Sequence, residues 1–160
     1  MDPAQKKLAL RAINYGLHVM TAADGDELSA AGVNWVTQVS FEPPLVAVGC
    51  KADSHTCDVV NRTGGFAINV LGEEQLDIGK AFFRTTEVAD GKINGYSFEV
   101  GAATGSPLLV DTSYWFEARV TDTIARGDHT VFIAEVVDAG VRDESVVSLL
   151  LRSTGMNYGG

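Results

Sequence analysis

The feature that most constrains the fold lies in the last third of the chain. From Tyr114 to Val120, Tyr114, Phe116, Ala118 and Val120 alternate with Trp115, Glu117 and Arg119. A period of two puts the first set on one face of a β-strand and the second on the other. Ala125-Arg126-Gly127-Asp128-His129 turns the chain, and Thr130 to Val137 runs back as an antiparallel partner. Ser145 to Leu151 adds a further strand. This part of the chain is β, and built from hairpins.

The rest follows in order. Asp2-Pro3 opens a helix, with Asp as N-cap and Pro at the first helical position. Leu8, Ala12 and Ile13 form its apolar stripe, and Gly16 ends it. Leu17 to Ala22 is a strand, Asp24-Gly25 a hairpin turn, and a second strand starts near Leu28. It runs into Val33 to Lys51, where Thr37, Gln38 and Ser40 carry more donors and acceptors than a core tolerates. Pro43-Pro44 cannot donate to a ladder, so the chain bends before a core strand at Leu45–Cys50.

A helix starts near Asp53 or Ser54 and stops at Gly64-Gly65, with Val59 and Val60 facing inward. Phe66 to Leu71 is a buried strand, and Glu73 to Phe83 an amphipathic helix. Residues 84–112 are Gly-rich and irregular, with one strand near Tyr96–Val100; so long a connection in a compact domain is often functional. Six or seven strands and two or three short helices predict a mainly β fold. Its expected form is an antiparallel, Greek-key-like β-barrel with helices over its ends.

A length of 160 residues fits one domain, spanning 1–160. The net charge of -9 argues against a nucleic-acid groove but leaves room for a small anion held by backbone N–H groups and a few basic side chains. No apolar run approaches a membrane span and no secretory leader is evident. Two cysteines, Cys50 and Cys57, make no disulfide framework, which fits a cytoplasmic protein. Asn61-Arg62-Thr63 and Arg126-Gly127-Asp128 read as chance matches to surface motifs.

There is no Gly-x-Gly-x-x-Gly after a strand, no Walker loop and no His-Glu-x-x-His. Cys50, Cys57 and His55 fall short of a zinc set, and Cys57 reads better as a small core residue than as a nucleophile paired with His129. Lys51-Ala52-Asp53-Ser54-His55-Thr56 is richer. A cation, two hydroxyls and the first N–H groups of a helix suit a phosphate. The same residues also make a strand-end lysine followed by an ordinary cap.

Ser40-Phe41-Glu42-Pro43-Pro44-Leu45, Phe66-Ala67-Ile68-Asn69-Val70-Leu71 and Gly127-Asp128-His129-Thr130 occur in that order. Together they resemble the flavin reductase-like family, the FMN-binding split β-barrel, over about Gly16 to Arg152. Its members show Ser-x-x-Pro-Pro-Leu, Phe-Ala-x-Asn-Val-Leu and a Gly-Asp-His turn at comparable spacing.

The resemblance implies a homodimer that holds FMN or FAD near its interface. It implies hydride transfer from NADH or NADPH to flavin N5, with reduced flavin or electrons passing to a partner oxygenase or another electron-acceptor protein. Residues Asn34, Trp35, Val36, Thr37 and Ser40 would lie along the isoalloxazine. Lys51, Ser54, His55 and Thr56 would hold the phosphate, with Arg84 reaching it from the next loop or serving only the helix dipole. His129 would be the catalytic group near the nicotinamide, or a turn residue. Asn157 and Tyr158 would fold over the cofactor, possibly across the dimer, or belong to a disordered end. Trp35 and Val36 depart from the small hydroxyl residues of many relatives. A flavoprotein that carries electrons on FMN without reacting with NAD(P)H is the alternative.

Overall fold

The computed structural model describes all residues from Met1 to Gly160. Helix α1 spans Pro3–Arg11; Asp2 caps it by accepting from the Ala4 N–H at 2.9 Å. It ends well before Gly16, and none of its residues is buried. Strands β1 (His18–Asp24) and β2 (Glu27–Val33) pair across a two-residue turn, and β3 (Trp35–Ser40) and β4 (Leu45–Lys51) pair across the proline bend. Helix α2 (His55–Thr63) leads into β5 (Gly65–Val70), and α3 is confined to Leu76–Ala81. Glu73 was expected inside α3; its N–H is instead bonded to the Val147 carbonyl.

The segment expected to be irregular apart from one strand at Tyr96–Val100 has that strand, but as part of a second sheet. Its strands are β6 (Val88–Ala89), β7 (Lys92–Ile93), β8 (Tyr96–Val100) and β9 (Pro107–Leu109). Asp90-Gly91 and Asn94-Gly95 link the first three, and all four residues have positive φ. Such pairs form the two-residue hairpin loops whose twist matches that of the strands they join. Strand β10 (Tyr114–Ala125) begins where expected and runs on past Val120, and β11 (His129–Val141) extends beyond its expected stretch at both ends.

The large sheet runs β2-β1-β5-β10-β11-β4-β3, with every neighbour antiparallel. Its edge strands β2 and β3 are consecutive in sequence, joined by Asn34 alone. A sheet whose opposite edges are one residue apart has to curl. Its ladder does not close, however, because no hydrogen-bonded register joins β2 to β3. The expected antiparallel, mainly β architecture is present, but the sheet is curled and open rather than closed into a barrel.

Both faces of the central strands are covered. Met20, Val48, Phe66, Ile68, Phe132 and the α2 residues Cys57, Val59 and Val60 fill the inside of the curl. Leu17, Val19, Leu71, Ile78, Phe82, Ile93 and Leu109 form a second cluster on the outside. Glu117, expected on a polar face, is fully buried. Its carboxylate accepts from the Thr104 N–H and hydroxyl, both at 2.7 Å, and from the Ala103 N–H at 3.1 Å. The 101–106 loop thus serves as its solvent.

Ser145–Leu151 is not a strand. It threads between two neighbours and makes two backbone bonds to each: Leu149 donates to Leu71 and Val147 accepts from Glu73 on one side, while Leu149 accepts from Leu17 and Leu151 donates to Tyr15 on the other. Only the isolated bridges Gly16–Leu150 and Gly72–Ser148 remain of the expected ladder. A 3₁₀ turn, Leu151–Thr154, then carries the chain back toward β3.

Candidate ligand cleft

A cleft of about 600 Å³ opens where the two edges of the curled sheet approach each other. Ala30 to Asn34 form one wall. Gly49 to Lys51 and the start of α2 form the next, and residues 82–86 face them. Leu151 and Met156 to Tyr158 close the remaining side, with His129 beside them. The volume suits a small ligand of nucleotide size.

The wall at 82–86 exists because β2 is an edge. Its free backbone groups need partners, and this segment supplies them. Gly32 donates to the Phe82 carbonyl, and Ala30 both donates to and accepts from the Thr86 hydroxyl. Arg84 is thereby carried onto the cleft with no hydrogen bond or ion pair to protein.

At the floor, Asn34 is only 7 % exposed. Its Nδ2 is buried and has no hydrogen-bond partner. An amide donor left this way costs about 1–3 kcal/mol, so an acceptor belongs there.

The α2 corner is more committed than its composition suggests. Ser54 Oγ donates to the Lys51 carbonyl at 2.7 Å and accepts from the Cys57 N–H at 3.2 Å. The Thr56 hydroxyl is shared with buried Ser29 at 2.8 Å. His55 Nε2 lies 2.6 Å from Glu27, which also holds Arg62 at 2.7 Å. His55 and then Arg62 hold the Glu27 carboxyl below the usual range. Lys51 reaches Asp53 at 3.0 Å, on the exposed rim. What remains for an anion is Arg84, the exposed and weakly held Lys51 ammonium, and the α2 dipole. Cys50 lines the same corner, its thiol pushed up to about 12 by burial. A thiol so hard to ionise is a poor nucleophile.

Of the residues singled out in the sequence, the cleft gathers Asn34, Lys51, Ser54, His55, Thr56, Arg84, His129, Asn157 and Tyr158. Trp35, Val36, Thr37 and Ser40 lie outside its lining. Val36 packs on the inner core, and Thr37 and Ser40 continue along β3 beside Ala47 and Leu45. Trp35 stands behind the lining: a Cβ on Gly49 would come within 2.9 Å of its indole, and His129 lies 4.4 Å from it, centroid to centroid. Nothing in the sequence marks Ala30 to Gly32, Phe82, Phe83 or Thr86 as cleft residues. Their role comes from the edge of β2, which is fixed by strand order.

The match to known proteins covers this whole architecture. The family model described as a flavin reductase like domain matches residues 10–159. A high molecular weight rubredoxin of Moorella thermoacetica is 34% identical over 83% of this chain. The chain spans 58% of that protein and 42% of a second relative, from Rhizobium meliloti. An NADH:FMN oxidoreductase of Rhodococcus erythropolis is 31% identical over 95% of the chain and 79% of its own length. The styrene monooxygenase flavin reductase of Pseudomonas putida S12 superposes with a TM-score of 0.71, at 28% identity over 84% of this chain and 85% of that one. A curled antiparallel sheet, a nucleotide-sized cleft at its edges and these matches lead to one conclusion: the chain belongs to the flavin reductase-like family.

Proposed function

We propose that the protein is an NAD(P)H-dependent flavin reductase that binds FMN in the cleft between β2, α2 and residues 82–86. The observation that carries this reading is Asn34, a buried amide donor with no protein partner at the floor of a cleft of the right size. The flavin ring system offers carbonyl and ring-nitrogen acceptors, which suit that donor. When bound, the flavin supplies the acceptor for a hydride from NADH or NADPH.

The chain's own residues position it and exclude water. Asn34 bonds the ring edge, and the Ala30–Gly32 edge of β2, with Phe83 packed where a Gly32 side chain would stand, walls the ring side of the cleft. Arg84, Lys51 and the first turn of α2 face the phosphate, with Ser54 and Thr56 shaping the turn rather than bonding the anion. Asn157 and Tyr158 cover the open side.

The finer features belong to the same proposal: a split-barrel homodimer, FMN in preference to FAD, cytoplasmic residence, and delivery of reducing equivalents to a partner oxygenase. Phe41, 89% exposed at the β3–β4 bend, Leu8 of α1 and Ile13 just beyond it supply apolar surface for a second subunit. No helix is long and apolar enough to cross a membrane.

The test is direct. Purified protein titrated with FMN should quench flavin fluorescence, and NADH or NADPH should then bleach the visible flavin band. Asn34→Ala should weaken FMN binding about tenfold. No FMN uptake sinks the flavin reading. Uptake without bleaching leaves only an electron carrier.

A further inference from the structure

The Gly-Asp-His turn points to His129 as the residue that meets the second ligand, yet its imidazole is closed off. Nδ1 lies 2.8 Å from Asp128 Oδ1, and Nε2 lies 2.8 Å from the Tyr158 hydroxyl. An ionised carboxylate only accepts, so Nδ1 carries the proton and Nε2 accepts from the phenol. Both ring nitrogens are used. The rings of Trp35 and Tyr158 pack on the imidazole at centroid distances of 4.4 Å and 5.7 Å, and its side chain is only 13% exposed.

Tyr158, by contrast, is 42% exposed and lines the cleft. It is tied down on both sides. Upstream, the Thr154 hydroxyl donates to the Leu151 carbonyl and accepts from the Met156 N–H. Downstream, the Gly159 carbonyl accepts from Arg11 Nε at 2.9 Å. The phenol ring meets Trp35 edge-on at 5.4 Å.

We propose that Tyr158, held by the chain Asp128–His129–Tyr158 on the Trp35 indole, contacts the nicotinamide end of the hydride donor, and that His129 is a positioning residue acting through it. This rests on the flavin reductase reading. Asn34 marks the floor of the cleft and Tyr158 its rim, so a ligand that must reach one already bound below arrives over Tyr158. With its proton given to His129, the phenol oxygen keeps lone pairs to accept an N–H. A carboxamide brings that donor.

Tyr158→Phe removes the hydroxyl and keeps the ring. In the FMN-loaded protein, KM for NADH or NADPH, whichever the wild type oxidises, should rise about three- to tenfold, the effect of one lost hydrogen bond. FMN affinity, read by flavin fluorescence, should stay within twofold. His129→Gln, whose amide oxygen can still accept from the phenol, should keep a lower KM than His129→Ala.

A second readout needs no turnover. The imidazole nitrogen NMR shifts of His129 in the flavin-free protein should report the Nδ1–H tautomer, and Asp128→Ala should lose it. An unchanged KM in Tyr158→Phe, a loss of FMN affinity as large as the rise in KM, or an Nε2–H tautomer in the wild type overturns the proposal. A wild type that binds FMN but oxidises neither nucleotide defeats the nicotinamide contact together with the reductase reading. The tautomer measurement then still decides whether the three-residue chain exists.

Discussion

His18 shows how one residue can make a fold sensitive to acid. It opens β1 opposite Val33 and Val70, and its ring lies so close to Gly16 that a Cβ there would fall 2.4 Å from it. Its Nδ1 has no partner, and burial pushes its pKa down to about 4. Above pH 6.5 the ring is neutral in both the folded and unfolded chain and contributes nothing to pH dependence. Between 6.5 and 4 the unfolded chain takes up a proton that the folded one refuses, so stability falls as pH falls, by roughly 3 kcal/mol at the lower end. His18→Phe should remove this component. Urea unfolding at pH 7.5 and pH 4.5 checks it: the midpoint should drop less in the variant, and equal drops would assign the acid sensitivity to other groups. Nothing local announces this histidine. It sits between Leu17 and Val19 as any strand residue might, and only its neighbours across the sheet bury it. Asn34 is similar: its polarity was visible in the sequence, but its unpartnered amide follows from its being the single link between opposite sheet edges.

At the scale of elements, what could be read from the chain was what is locally determined. The Asp2 and Ser54 caps, the Gly64 stop, the bend at Pro43-Pro44 and the β10–β11 hairpin all rest on residues next to one another. Of the small sheet only β8 was legible; its partners escaped because strands of two or three residues have no alternation to detect, although Asp90-Gly91 and Asn94-Gly95 were its signature. Ser145–Leu151 looked like a strand because of its apolar residues, of which Leu149 and Leu151 are buried; its few bonds are divided between two different segments, which no period reveals. The same distinction separates two residues of the phosphate corner. Ser54 spends both hydrogen bonds inside the α2 turn, whereas Arg84 spends none. Ser54→Ala should therefore cost about 1 kcal/mol of stability and change FMN affinity less than twofold. Arg84→Ala should leave the unfolding midpoint in place and weaken FMN at least about tenfold, as loss of a charge-assisted bond does. Calorimetric FMN titrations and urea melts on both variants distinguish the roles, and a reversed pattern would mean that Ser54 is the anion contact.

The whole molecule brings together, in one cleft, segments far apart in sequence: β2 and Asn34, the β4–α2 corner, residues 82–86, His129 and the stretch 151–158. The last of these is held to the rest by few bonds: Leu151 to Tyr15, Tyr158 to His129 and, just beyond it, Gly159 to Arg11. Such a wall is the part of the fold that opens at least cost. A ligand that contacts all five segments binds the folded chain and not the unfolded one. At a hundredfold excess over its Kd it adds about 2.7 kcal/mol of stability. For a chain of this size that corresponds to a rise in Tm of about 5–10 °C. The net charge of -9 opposes an anionic ligand at long range, so the gain depends on the local cations Arg84 and Lys51. Thermal melts with increasing FMN should show the full rise in the wild type, and in Arg84→Ala should need about tenfold more FMN to reach it. Hydrogen exchange at the same concentrations should slow in residues 30–34, 82–86 and 155–159 together. Protection confined to the α2 corner would mean that the phosphate alone is held and that the ring is not seated against Asn34.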